Sequence, residues 1–392
     1  MRMMSTNKKV LVTVLCLAGI QMIGVGLAPM LALMNSHFPD ADPSQIQLVS
    51  TLPNLIVVPT ALIVAKISKR ISHKYLAASG SFLACLFAVL GCAYHDSLSI
   101  LYVWACLLGV AAGITCNVGT YIIDDWFTPE KKIAVLGYQA LAGSIGAMTM
   151  TLIGGQLVVK SWYFGYLAYL IMIPAFIFSL TLMPCRIQKS KPVSDKEKKD
   201  IPTRWTAILI LFMISFMFGM VYNTYNANLA MVVAENGYGT AKMAGNVLSV
   251  IMMASGLTGL IVGRVSQKLQ NYTITFALTL LTIGYMLIFI WNCLFSVVLG
   301  GLISGISISF IMPNIVYTTS KFGGNRAKLA MTLGTVGSQI GTLISPEISV
   351  ISHTIFGSAN TKYRFLLAAL LSAAITCFSL ISNRLYFDKL KK

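Results

Sequence analysis

A chain of 392 residues in which 56% of side chains are hydrophobic and only 10% are charged, with a mean hydropathy of +0.77, carries too little charge to solvate a globule of its size. It belongs in a bilayer. The net charge of +17 would suit a nucleic-acid partner, but the basic residues are scattered through short loops between apolar runs, not gathered on one face with stacking aromatics, so no nucleic acid is expected.

Spans of about 20 apolar residues are needed to cross the hydrocarbon core. In chain order they are expected at 10–34, 45–65, 75–93, 98–122, 133–157, 162–183, 206–232, 243–263, 273–291, 294–320, 329–351 and 365–385. The start, MRMMSTNKKVLVTVLCLAGI, has the outline of a signal peptide. Its apolar run continues to Met34 without a small-x-small cleavage site, so it is read as the first span. The runs are too long for barrel strands and lack period-two alternation, so each is read as a helix.

The charges orient the series. With the N-terminus in the cytoplasm, 25 of the 29 Lys and Arg residues fall on that side. The outer side holds Lys160, Lys242, Lys362 and Arg364, and the spans hold none but Arg384, at the inner end of the twelfth. Both termini are therefore expected in the cytoplasm. The longest loop, PCRIQKSKPVSDKEKKDIPTRW, is polar and basic and sits at the middle of the series. The expected architecture is an all-α membrane protein of twelve transmembrane helices, in two pseudo-symmetric six-helix bundles. The bundles occupy 1–183 and 206–392, with a cytoplasmic linker at 184–205.

A repeat supports the halves. Ala61–Arg70, ALIVAKISKR, returns 198 positions later as Gly259–Lys268, GLIVGRVSQK, at the same place in the series of spans.

The candidate chemistry lies in polar residues within spans, since a buried polar group in lipid needs a partner or a cavity. Span 7 carries GMVYNTYNANL, where Tyr222, Tyr225 and Asn226 lie at i, i+3 and i+4 on one helix face, with Asn223 close by. The alternatives are a wall of the solute cavity and interhelical glue. Gln21, Asn117, Gln139, Asn314 and Gln339 are single candidates in spans 1, 4, 5, 10 and 11, with the same two alternatives. Glu347, after Pro346 in span 11, is the one acid within an apolar stretch. It is the candidate for proton coupling, with an outer-gate role and contact with a cationic solute left open. The eight cysteines form no CxxC pair and the four histidines have no metal spacing, so neither a metal nor a cofactor is expected. No P-loop, GxSxG or HExxH occurs, and no His, Asp or Cys cluster suggests an enzyme.

A basic turn between spans 2 and 3, echoed between spans 8 and 9 in a 6+6 chain, resembles the major facilitator superfamily. Its signature there is Gly-x-x-x-Asp-Arg/Lys-x-Gly-Arg-Arg/Lys. The chain reads Ala61, Ala65, Lys66, Ser68, Lys69, Arg70 in the first copy and Gly259, Gly263, Arg264, Ser266, Gln267, Lys268 in the second. The basic positions are kept and the acidic one is lost in both. DDWFTPEKKIAVLGYQALAGSIG also resembles the family's 4–5 turn and glycine-rich fifth span, without the Gly-Pro motif of many of its antiporters. The resemblance implies a secondary transporter that moves a small molecule by alternating access, with Lys66, Lys69, Arg70, Asp124, Asp125, Arg264 and Lys268 at the cytoplasmic gate. There Asp124 or Asp125 is expected to pair with Lys66 or Arg70 in place of the lost acid. A mostly neutral set of Asn, Gln, Tyr, Ser and Met suits a neutral polar or a lipophilic solute. A drug exporter, a nutrient importer and a non-transporting receptor of the same fold all stay open. The expected setting is a bacterial inner membrane, with the lipid bilayer, the solute and protons as partners and the chain as a monomer.

Overall fold

A computed structural model gives the structure of the protein. It describes residues 6–20, 26, 27, 30, 34, 37–39, 41, 43–158, 160–185, 203–238, 241–345, 347–358 and 360–387. The protein is all-α. The chain divides into two compact units, Met1–Asp200 and Ile201–Lys392.

In the first unit, α1 (Thr6–Leu17) ends in a tight turn, Ala18–Ile20. It is followed by α2 (Pro43–Ile67), α3 (His73–Ala93), α4 (Leu98–Trp126) and α5 (Pro129–Val158). The sixth span winds tightly as a 3₁₀ helix over Trp162–Met172 before relaxing into α6 (Ile173–Thr181). The change falls where Pro174 has no N–H to offer the preceding turn.

The second unit holds α7 (Trp205–Glu235), α8 (Ala241–Leu269), α9 (Thr273–Trp291), α10 (Leu294–Phe322), α11 (Ala327–Ile344), α12 (Glu347–Phe356) and α13 (Thr361–Ser382). α13 runs on into a wider turn, Asn383–Phe387.

Among the described residues, nine helical stretches are long and apolar enough to cross a membrane. One of them, Val247–Trp291, runs 45 residues and contains both α8 and α9, so the nine cover ten of the expected spans. The first span continues into residues outside those described. The eleventh is not one helix but two, α11 and α12.

Both units pack by the same device. Gly109 and Gly113 let α4 approach α2. A Cβ on Gly109 would lie 2.6 Å from the Pro53 carbonyl oxygen, and one on Gly113 would lie 2.7 Å from Thr60 Cβ. Gly301 and Gly305 let α10 approach α8 at Ile251 and Ser255 in the same manner. Pro53 and Val57 lie 198 residues before Ile251 and Ser255, the spacing of the sequence repeat. The first and fifth spans of each unit also touch backbone to backbone, at Gly19 and Gly146 in one, and at Gly219, Gly337 and Gly341 in the other. Such small-residue seams give helix association its packing energy where lipid removes the hydrophobic drive.

The interior is knit by hydroxyl pairs: Ser255–Ser309 at 2.8 Å, Thr275–Ser379 at 2.7 Å and Thr282–Ser372 at 2.9 Å. Large apolar side chains such as Ile63, Leu209, Ile290 and Val350 stand outward. Inward hydroxyls and outward aliphatic groups are the arrangement that a lipid solvent favours.

Arg364 and Lys362, expected in the outer loop before the twelfth span, lie in the first turn of α13. α13 starts early because Glu235 of α7 caps it: the carboxylate accepts from the Thr361 N–H at 3.1 Å and the Thr361 hydroxyl at 2.7 Å. That draws Arg364 against α7, where Nη1 donates to Asn228 Oδ1 at 2.6 Å.

Candidate functional site

The polar residues of α7 part company in the structure. Tyr225 is buried, and its hydroxyl donates to the Val297 carbonyl of α10 at 2.9 Å. Asn228 is buried between its own helix and Arg364, donating to the Thr224 carbonyl at 2.8 Å. Both act as glue between helices of the second unit. Tyr222, Asn223 and Asn226 are half-buried. The Asn226 amide hydrogen-bonds the Tyr222 phenol one turn away, and Tyr222 stacks on Phe218 with ring centroids 5.4 Å apart. Asn223 Nδ2 donates to the Ser345 hydroxyl at 2.7 Å.

The geometry of the α7–α11 seam explains the division. At about 100° per residue, Tyr222 and Asn226 fall between the direction of Tyr225, which faces α10, and that of Gly219, which faces α11. On α11 the seam is Gly334, Gly337, Ser338, Gly341 and Ser345, and Ser215 of α7 closes it by donating to the Gly334 carbonyl at 2.5 Å. Thr335, Gln339 and Thr342 lie at i, i+4 and i+7 along one edge of that seam, all half-buried. The two helices run in the same direction, since Phe212 meets Gly337 and Phe216 meets Gly341. Their right-handed turn therefore brings the edge of α11 and the Tyr222–Asn226 edge of α7 to the same side. Together they form a strip of amides and hydroxyls with no charged member. The hydroxyls of Thr335 and Thr342 donate back to carbonyls of their own helix, which leaves lone pairs facing outward. Tyr285 of α9 steadies the strip from behind, its hydroxyl within 3.1 Å of the Val221 carbonyl and 3.2 Å of the Tyr222 carbonyl.

The remaining predicted residues lie elsewhere. Asn314 is buried and donates to Ser266 Oγ at 2.9 Å and to the Phe310 carbonyl at 2.8 Å, which ties α10 to the repeated basic turn. Asn117 is buried and bonded to the Gly113 carbonyl at 2.8 Å. Gln139 is buried on α5 and reaches α4 at Gly119. Gln21 lies outside the described residues. Glu347, the candidate for proton coupling, is exposed as the first residue of α12. The break before it turns the carboxylate out at a helix N-terminus, where the dipole favours a negative charge.

At the inner ends of the first unit, Asp124 pairs with Lys132 at 2.5 Å and Asp125 with His73 Nδ1 at 3.1 Å. One of the two acids was expected to pair with Lys66 or Arg70, and neither of these partners is one of those. The 4–5 turn folds Lys132 back on Asp124 two helical turns away. His73 opens α3, beside the end of α4. Lys66, Lys69, Arg70, Arg264 and Lys268 are exposed. Among the described residues no three His, Cys, Asp or Glu side chains come together as a metal site.

Sequence reasoning missed Thr335, Thr342 and Ser345. Their spacing with Gln339 was legible, but threonine and serine are common in membrane helices as self-bonded groups and carry no mark of which edge is open.

The comparisons with known proteins agree with this architecture. The sequence pattern described as Major Facilitator Superfamily matches residues 10–346. The chain is 27% identical over 137 residues to a protein described as "Protein TsgA homolog" from Buchnera aphidicola, covering 34% of each. It is 26% identical over 147 residues to "Protein TsgA" of Escherichia coli, covering 36% of this chain and 37% of that one. The chain thus matches only about a third of the length of these curated relatives. Among solved structures, the human organic anion transporter MFSD10 superposes with a TM-score of 0.79 at 13% identity, over 96% of this chain and 100% of that one. FucP in its outward conformation superposes with a TM-score of 0.73 at 15% identity, over 95% and 98%. With two repeated helical units and the superfamily's pattern over most of its length, the chain belongs to the major facilitator superfamily of membrane transporters.

Proposed function

We propose that the chain is a secondary transporter of a small, neutral, polar organic solute, working by alternating access as a monomer in a bacterial inner membrane with both termini cytoplasmic. The observation that carries this reading is the uncharged strip of Tyr222, Asn226, Thr335, Gln339 and Thr342. Amides and hydroxyls in a membrane interior are retained where they meet a partner, and these present both donors and acceptors to one side. Arg364, in the first turn of α13, donates to Asn228, which lies about 120° around α7 from Tyr222 and about 160° from Asn226. This supports a neutral solute over an anionic one, although the human MFSD10 protein of similar fold is named for organic anions. The relatives named TsgA in Escherichia coli and Buchnera support the bacterial setting.

The test is flux in proteoliposomes against a panel of radiolabelled polyols, sugars, amino acids and lipophilic drugs. For the solute that moves, Asn226→Ala and Gln339→Ala are expected to raise its half-saturation concentration about 5- to 150-fold, the range for losing one buried hydrogen bond of ~1–3 kcal/mol. Tyr225→Phe is expected to act on stability and leave that concentration unchanged. Normal transport by both strip variants overturns the assignment.

A further inference from the structure

The eleventh apolar stretch is interrupted where the sequence places Pro346. A proline has no N–H, so the carbonyl four residues back, that of Thr342, loses its helical partner. Ser345 supplies the replacement: its N–H lies 3.3 Å from the Thr342 oxygen, and its hydroxyl donates to the same oxygen at 2.8 Å. The hydroxyl oxygen accepts in turn from Asn223 Nδ2 at 2.7 Å. A side chain of α7 therefore completes the repair of a break in a different helix. Asn223 adjoins Tyr222, at the border of the polar strip.

The two sides of the break rest on different supports. α11 is seated on α7 through Gly337, Gly341 and the Ser215–Gly334 bond. α12 rests chiefly on α13: Ile348 and Ser352 are buried, and Phe356 stacks on Tyr363 with centroids 5.3 Å apart and planes 22° apart. The Ser352 hydroxyl has no hydrogen-bond partner among the described residues. A buried hydroxyl left unsatisfied makes that seat weaker than the glycine seam.

We propose that Ser345 is a joint about which α12 moves against α13 while α11 stays fixed to α7, and that Asn223 is the positioning residue that holds the joint closed. The Asn223 amide carries two N–H donors and spends one on Ser345, so a solute acceptor that draws the amide round toward the strip and takes that same N–H releases α12. This last step rests on the transport reading; the joint itself does not.

The experiment is hydrogen–deuterium exchange of the full chain in nanodiscs, with no solute present, for the wild type, Asn223→Ala, Ser345→Ala, Ser345→Thr and the double alanine variant. Each single alanine is expected to raise exchange of the 347–353 amides about tenfold, the order for one lost buried hydrogen bond, with the 328–341 amides unchanged. The double variant should not exceed Ser345→Ala, because the bond that Asn223 makes is already lost with the Ser345 hydroxyl. Ser345→Thr keeps the hydroxyl and should exchange as wild type. The proposal is overturned if Asn223→Ala leaves 347–353 unchanged, if threonine fails to rescue, or if exchange rises equally through α7 and α11, which marks a general loosening. Since no solute is needed, these outcomes are separate from a failure of the transport reading, which the flux panel reports.

Discussion

Asp125, at the end of α4, stands 3.1 Å from Nδ1 of His73, the first residue of α3. The superfamily's acid is absent from the turn that precedes α3, and here the acid is on α4 and the base on α3. Side-chain exposures of 7% and 18% leave little room for water to replace the contact. His73→Ala and Asp125→Asn are each expected to destabilise the first unit by about 1–3 kcal/mol, the scale for a partly buried charge-assisted bond. The pair of changes together should cost less than their sum. Thermal unfolding of the detergent-solubilised variants measures this, and additive losses would mean that the two groups do not act on each other.

The α7–α11 seam makes a second prediction. A Cβ on Gly341 would run into the Phe216 carbonyl and lie 2.8 Å from the Met220 nitrogen, both backbone atoms that cannot swing away. A Cβ on Gly155 of α5 would meet nothing within 4 Å. Gly341→Ala is expected to cost about 1–3 kcal/mol through overpacking. Gly155→Ala should be neutral or gain up to ~1 kcal/mol, since alanine is the better helix former. Unfolding temperatures of the two variants, measured side by side, decide whether the seam is as tight as described.

Glu347 bears on coupling. The Glu347 carboxylate is exposed in the first turn of α12, outside any buried polar cluster. Glu347→Gln is expected to preserve solute accumulation driven by an imposed pH gradient in proteoliposomes. It should lower stability by less than about 1 kcal/mol. Loss of accumulation with counterflow exchange intact would make Glu347 the proton carrier after all.

Cys293 offers a test of both local chemistry and sidedness. It caps α10, and the Ser296 N–H bonded to its sulfur holds the thiol below its usual value. Only the thiolate alkylates, so a lowered value moves labelling to lower pH. Maleimide labelling of Cys293 should reach half its maximal rate below pH 9.0, the ordinary thiol value. Ser296→Ala should move that midpoint upward by removing the side-chain bond. In the proposed topology, a membrane-impermeant reagent added to intact cells labels Cys293 and spares Cys185. The reverse pattern would invert the orientation.

The spans were legible because transfer into lipid is summed over local sequence. Twenty apolar residues bounded by lysines read the same way wherever they stand, and for that reason α2 to α5, α7, α9 and α10 lie where the hydropathy puts them. The polar run of α7 was legible for the same reason. Which of its members face outward was not. A helical repeat assigns Tyr222, Tyr225 and Asn226 to one side but has no origin of angle, and Tyr225 went to α10 only because the glycines of α7 and α11 set that origin. Arg364 was read as a loop residue because nothing local announces that Glu235, 126 positions away from Thr361, will start the helix early. His73 and Asp125 were each visible as polar residues at span ends. Their pairing, like that of Asn223 with Ser345, depends on two helices meeting in register, and contacts between residues far apart in sequence arise only when the chain packs.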